Sequence, residues 1–264
     1  MKLQFTLIAV TIIWCVFSCG QDDPIVLLQA PQQGLVAHFP LDGNATDAVG
    51  SNTGSMSGVL ATTGHSGDEN SGVYFSGDGE YIEVPHNESF NFGFEENFTI
   101  SVWARFNEQA NTLVTTNSMI SKWCLEGGSC AGESSPFALR VHNQTSDTPG
   151  AFLGIRRNTR STSLCQENNW FSTNTVFDYD RYHHIVYVKD GRDLRIYVDG
   201  TLSIQEDDVV TNDCPIRNEA PLLLGVKSKQ PSEGNLAFQG SLDELYIYDR
   251  ALNEEEIEML YLLE

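Results

Sequence analysis

The chain has 264 residues, 41% of them hydrophobic and 10% aromatic, enough apolar material for a packed core and too much for a disordered chain. Thirty-six acidic residues against 15 basic ones give a formal charge of −21. Such a field repels phosphate backbones and argues against DNA or RNA as a partner. It suits a surface protein or one that lives with divalent cations.

Met1-Lys2 is followed by an apolar run from Phe5 to Phe17 that ends in Ser18-Cys19-Gly20. The run falls short of the ~20 residues of a membrane span and has the layout of a signal peptide, residues 1–18. Val16-Phe17-Ser18-Cys19 resembles the bacterial lipobox, where cleavage falls just before the cysteine. That resemblance implies lipid chains on Cys19, and two or more such chains anchor a protein stably. The acidic Asp22-Asp23 that follows resembles an export signal of surface lipoproteins. The expected location is therefore the outer membrane or cell surface, with membrane contact through the anchor only; free secretion is the alternative. Residues 19–33, with Pro24 and Pro31, read as the lipidated cysteine and a tether. Residues 34–264 read as one domain without internal repeats.

From Leu35 onward, short alternating segments are separated by turn residues, an all-β pattern. Leu35–Phe39 is the first strand, and Val73–Phe75 and Glu80–Val84 flank the turn Gly77-Asp78-Gly79. In Phe98–Phe106, residues Phe98, Ile100, Val102 and Ala104 face one way, and Trp103 reads as a core residue of this central strand. Phe137–Val141 and Phe152–Arg156 alternate similarly. Tyr182–Ile204 reads as a three-stranded meander, because Asp199-Gly200 suits a hairpin turn with positive φ at both central positions. Phe238–Tyr248 is the last long strand. Asn253 with Glu256 three residues on is a capping box for one closing helix, whose apolar side is Ile257, Leu260 and Tyr261. The expected fold is an all-β, two-sheet antiparallel jelly-roll sandwich with one short C-terminal helix.

Cys15 leaves with the signal peptide, so Cys124, Cys130, Cys165 and Cys214 remain beside Cys19. Four cysteines allow three connectivities. Cys124–Cys130, closing a Gly-rich loop, with Cys165–Cys214 is the favoured pairing, and an exported compartment favours disulfides over zinc.

Several blocks in order resemble laminin-G-like and pentraxin-like jelly rolls of the concanavalin A-like lectin/glucanase type. They are Phe75-Ser76-Gly77-Asp78-Gly79-Glu80-Tyr81-Ile82-Glu83-Val84, Phe98-Thr99-Ile100-Ser101-Val102-Trp103, Tyr182-His183-His184-Ile185-Val186, Leu194-Arg195-Ile196-Tyr197-Val198-Asp199-Gly200, and Phe238 through Ile257 with Leu242-Asp243-Glu244-Leu245. The resemblance implies the sandwich fold. It does not choose among lectins, adhesion modules, glycan-binding appendages and glucanases. A structural calcium near the first and last strands is also implied. Asp42, Asn44 and Asp47, the carbonyl of Gly79, and Asp243 are the oxygen donors for it; as turn formers, the same residues have an alternative role.

No catalytic string is present. The Glu-x-Asp-x-x-Glu of related glucanases, Gly-x-Ser-x-Gly and His-Glu-x-x-His are all missing. Asp243 and Glu244, being adjacent, are expected to diverge to opposite faces, as are His183 and His184, with His184 packed. Glycan binding needs aromatic faces with polar neighbours, and Trp123, Trp170 and Arg156 are the candidates. The expected function is a non-catalytic, lipid-anchored surface module binding glycan or another extracellular ligand. A glycoside hydrolase of the same superfamily and a structural, adhesive protein-binding module are the alternatives.

Overall fold

The structure is a computed structural model describing residues 28–107, 116–124, 134–143, 151–158, 168–173, 177–179, 181–209, 216–229 and 237–263. The signal segment, Cys19, Cys130, Cys165 and Cys214 lie outside these residues, as do the side chains of Arg156 and Trp170.

Alternation at a period of two puts one set of side chains on each face of a strand, and that decides the architecture. In chain order the strands are β1 (Leu35–Phe39), β2 (Ser55–Ser57), β3 (Leu60–Thr62), β4 (Gly72–Ser76), β5 (Tyr81–Val84), β6 (Phe98–Phe106) and β7 (Thr116–Ser121). There follow β8 (Ser135–Asn143), β9 (Ala151–Asn158), β10 (Asn168–Ser172), β11 (Tyr182–Asp190), β12 (Asp193–Val198), β13 (Thr201–Asp207), β14 (Leu222–Leu224) and β15 (Gln239–Tyr248). Helix α1 (Glu254–Tyr261) closes the chain. Among the described residues the strands form two antiparallel sheets. The first has the order β13-β12-β11-β6-β15-β4-β3, with β1 also on β15; the second has the order β10-β9-β8-β7-β14-β5-β2.

The core lies between the sheets. Phe98, Ile100, Val102 and Ala104 of β6 share it with Phe137, Leu139 and Val141 of β8, all fully buried. The outer face of the first sheet carries a second apolar layer, in which Val186, Val188, Tyr246 and Tyr248 pack against Ile257 and Leu260 of α1. Full burial of Ile257 and Leu260 stabilises by about 1.5–3 kcal/mol each. The helix starts where expected: Asn253 accepts from the Glu256 N–H, and the Glu256 side chain returns to the Asn253 N–H. The hairpin turn is also as expected, with φ of 48° at Asp199 and 75° at Gly200. Gly200 lies under the Tyr261 ring, 3.2 Å from where a Cβ would stand, so glycine serves both the turn and the seat of the helix.

One interruption positions the site. Strand β15 changes neighbours midway: β4 pairs with Gln239–Leu242, and β1 pairs with Leu245–Tyr248. The exchange falls on Asp243-Glu244. There the ladder with β6 slips as well, four residues of β15 (Asp243 to Tyr246) facing three of β6 (Trp103 to Ser101). The extra residue, Glu244, takes a left-handed φ of 49°.

Candidate functional site

The bulge lies in a groove on the outer face of the first sheet, beside α1. His38, His65, Trp103, Glu244, Tyr246, Leu260 and Leu263 line it together with the segment Leu28–Gln32, and its volume is about 490 Å³. A second hollow of about 750 Å³ shares His65, Trp103 and Leu263 as a wall and adds Asp68 and Tyr261. Residues 28–32 fall within the expected tether, yet they line this groove, and Ala30 packs on the layer under α1. The packed domain therefore begins upstream of residue 34.

An extra residue cancels alternation, which is how a bulge re-aims side chains. Parity would send Asp243 and Glu244 to opposite faces; instead both reach histidines of the groove, and that expectation is corrected. The buried Asp243 Oδ2 accepts from the His65 backbone N–H at 2.8 Å and lies 2.7 Å from His65 Nδ1. His65 Nε2 lies 3.4 Å from the Leu263 carbonyl. Acceptors at both ring nitrogens suit the imidazolium, which has two donors. Burial alone would lower the His65 pKa; the hydrogen bond and charge of Asp243 outweigh it and hold the pKa above the ordinary histidine value.

Glu244 Oε2 lies 2.6 Å from His38 Nε2, and the His38 ring stacks on Tyr246 at 4.1 Å. Burial tends to raise the Glu244 pKa, and hydrogen bonds from His38 and Tyr246 bring it below the ordinary value. Burial and the Glu244 charge push the Tyr246 phenol well up.

Trp103 is the aromatic wall. It alternates with Val102 and Ala104, so it faces outward, half-buried, and does not enter the inter-sheet core as its strand suggested. Its ring stacks on His65 at 4.4 Å and on Tyr261 at 5.7 Å. His184 lies beneath, 1% exposed, with Nε2 2.8 Å from Ser101 Oγ. Burial pushes the His184 pKa down to about 3, so this ring is neutral and packed, as expected. His183 points the other way, to Asp199 at 2.9 Å.

A family model for the concanavalin A-like lectin/glucanases superfamily matches residues 76–258. The chain belongs to that superfamily. Among solved structures, the binding domain of Paraclostridial Mosquitocidal Protein 1 superposes with a TM-score of 0.63 at 20% identity, over 86% of this chain and 52% of that one. Domain 4 of AbnA, a GH43 extracellular arabinanase from Geobacillus stearothermophilus solved with arabinotriose, gives 0.58 at 17% identity, over 86% of this chain and 98% of that one. The ligand-binding domain of botulinum neurotoxin serotype D, in complex with N-acetylneuraminic acid, gives 0.61 at 13% identity, over 86% and 50%. This chain spans about half the length of those toxin domains. At such identities the likeness establishes the fold. A comparison with curated protein sequences gives no match.

Within this concanavalin A-like domain the expected calcium ligands do not converge, and that expectation is corrected. Asp47 Oδ1 accepts the backbone N–H groups of His38, Val49 and Gly50 at 3.0, 3.1 and 2.9 Å. Its Oδ2 accepts from the Asn52 side chain at 2.6 Å. Burial alone would raise the Asp47 pKa; these bonds lower it, and they fill the carboxylate with donors in place of a cation. Asn44 Oδ1 is taken by the Thr46 N–H at 2.9 Å, an Asx turn. Gly79 follows the end of β4 that pairs with Gln239, about 13 Å along β15 from Asp243. Asp42 alone comes near Asp243 and Glu244; burial and those two charges raise its pKa. Among the described residues, no group of three or more His, Cys, Asp or Glu side chains is placed to hold a metal ion. The five residues do not fit calcium.

The expected glycan residues lie on the second sheet. Trp123 is 3% exposed, with the Arg140 guanidinium 4.7 Å and the Lys227 ammonium 4.5 Å from its ring centre, and it packs on Ala138. It is a covered core ring, which corrects its reading as an open platform. The register sets Trp170 opposite Arg156, and Arg156 opposite Ala138. Trp170 and Arg156 thus sit on the neighbouring strands β10 and β9, and Trp123 lies just past the end of β7, all away from the groove. Cys124 is disulfide-bonded; the other three cysteines lie outside the described residues, and the pairing stays an expectation.

Proposed function

We propose that this protein is a non-catalytic carbohydrate-binding module, exported and held at the cell surface by a lipid on Cys19, with the groove beside α1 as its binding site. The observation that carries the reading is that the half-buried Trp103 ring and the Glu244 carboxylate line one groove. A sugar offers an apolar face of C–H groups and an edge of hydroxyls. An aromatic wall takes the first, and a carboxylate with spare lone pairs takes the second. The groove's size falls within the range of small-ligand sites, about 300–1,000 Å³. The fold neighbours support the same class, since two were solved with arabinotriose and with N-acetylneuraminic acid.

Titrating the purified domain with a panel of oligosaccharides, read by tryptophan fluorescence, tests this. A saturable change is expected with at least one sugar, and Trp103→Ala, checked for an unaltered far-ultraviolet spectrum, weakens it at least about tenfold, as for a buried aromatic anchor. Equal binding by Trp103→Ala overturns the groove as the site. New reducing ends in the incubation overturn the non-catalytic reading in favour of a glycoside hydrolase.

A further inference from the structure

The groove's charges point to a class of sugar. Glu244 and the buried Asp243 each face a histidine of the groove, and Asp42 stands beside them, exposed. Among the described residues Asp42 forms no ion pair, and its carboxyl pKa is raised by its own partial burial and by the charges of Glu244 and Asp243. Asp68 adds a fourth acid in the adjoining hollow. Of the arginines on this face, Arg250 is committed to Glu256 through two contacts of 2.8 and 2.6 Å, and Arg105 donates to Ser241 Oγ at 3.0 Å and lies over the Tyr182 ring. His65 as an imidazolium balances Asp243 alone. The mouth is therefore acidic, inside a chain of net charge −21.

Resting on the carbohydrate reading above, we infer that the groove takes amine-bearing sugars, chains of hexosamine units whose free ammonium groups meet Asp42 and Glu244 while a ring face lies on Trp103. Acidic sugars are repelled by the same carboxylates, and neutral ones gain the stacking without the charge. An ammonium beside an aromatic face adds a further attraction.

The test compares glucosamine oligomers, their N-acetylated counterparts and oligogalacturonate, by fluorescence titration at low and high salt, below the pKa of the sugar amine. Glucosamine oligomers are expected to bind at least about fivefold tighter than the N-acetylated ones at low salt, with the advantage shrinking as salt screens it. Asp42→Asn, an exposed change that leaves the core untouched, is expected to reduce that advantage roughly two- to fivefold; an advantage that stays undiminished in this variant overturns the inference. Trp103→Ala separates the groove from general attraction between polycation and acidic protein; undiminished binding by that variant overturns the inference. Equal or tighter binding of the N-acetylated or acidic oligomers also overturns it, while the carbohydrate reading stands. If no sugar of any class binds, both fall.

Discussion

Asp243→Ala removes an acceptor that holds one histidine twice, through the His65 backbone N–H at 2.8 Å and the ring Nδ1 at 2.7 Å. Each hydrogen bond to a charged group contributes about 1.5–3 kcal/mol, and removing one partner of a buried pair costs about 3–5 kcal/mol. Asp243 is 2% exposed, so water offers little compensation. In a domain of this length, 1 kcal/mol moves the melting temperature by about 2–4 °C, and a fall of roughly 6–20 °C is expected. Asp243→Asn keeps an acceptor and loses the charge, so its loss is expected to be about half as large. The pH dependence has a definite sign. The folded His65 pKa lies above its unfolded value, so the pair's contribution is fully present below about pH 6.5 and is lost as pH rises through the folded value. The gap between wild type and Asp243→Asn should therefore narrow with rising pH. Urea unfolding of the three proteins at about pH 6 and about pH 9 reads both quantities. A cost below about 1 kcal/mol for Asp243→Ala, or a gap that holds or widens with pH, refutes the reasoning.

Lys122 carries the opposite dependence. Fully buried, its ammonium donates to the Ala220 carbonyl at 2.7 Å, and burial pushes its pKa down to about 8 from 10.5. The unfolded chain holds that proton more tightly, so stability should rise between those pH values by up to about 1.4 kcal/mol per unit, and Lys122→Met should flatten the rise in denaturant melts. Asn253→Ala removes the side chain that caps α1; a loss of about 1 kcal/mol is expected, seen as a melting temperature lower by about 2–4 °C. A chelator should leave the melting temperature unchanged, because Asp47 and Asn44 are filled by N–H donors; a drop of several degrees would reveal a bound cation.

The sheets were legible because their longest strands are strict alternators. Phe98, Ile100, Val102 and Ala104 mark the inner face of β6, and Asp199-Gly200 and Asn253 mark a turn and a helix start by local chemistry alone. The three-residue strands β2, β3 and β14 are too short to show a period, and β7 reads Thr-Asn-Ser-Met-Ile-Ser, mostly polar. The site was legible only in part. Trp103 could have been placed outward by the same parity that put Val102 and Ala104 inward; a tryptophan in a central strand suggested core because the second layer under α1 was not foreseen. Asp47 looks the same as a clasp for N–H groups and as a cation ligand, since both uses favour an acid in a turn. His65 sits in the β3–β4 connection, where no pattern announces it, and it meets Asp243 across 178 positions of sequence.

The bulge was the least legible feature and carries the most. Leu242 and Leu245 both face the core, as does Ile247, while Tyr246 and Tyr248 face α1. Without Glu244 the order Leu242, Asp243, Leu245, Tyr246 alternates as a regular strand, so the sandwich itself needs no residue at this position. The extra residue instead brings a left-handed φ at a glutamate, which costs on the order of 1–2 kcal/mol. What the chain gains is a second carboxylate on the outer face, paired with His38 in the groove that Trp103 also lines. Backbone strain that the fold does not require, at a position that re-aims a charged group into a groove, argues for a role in binding.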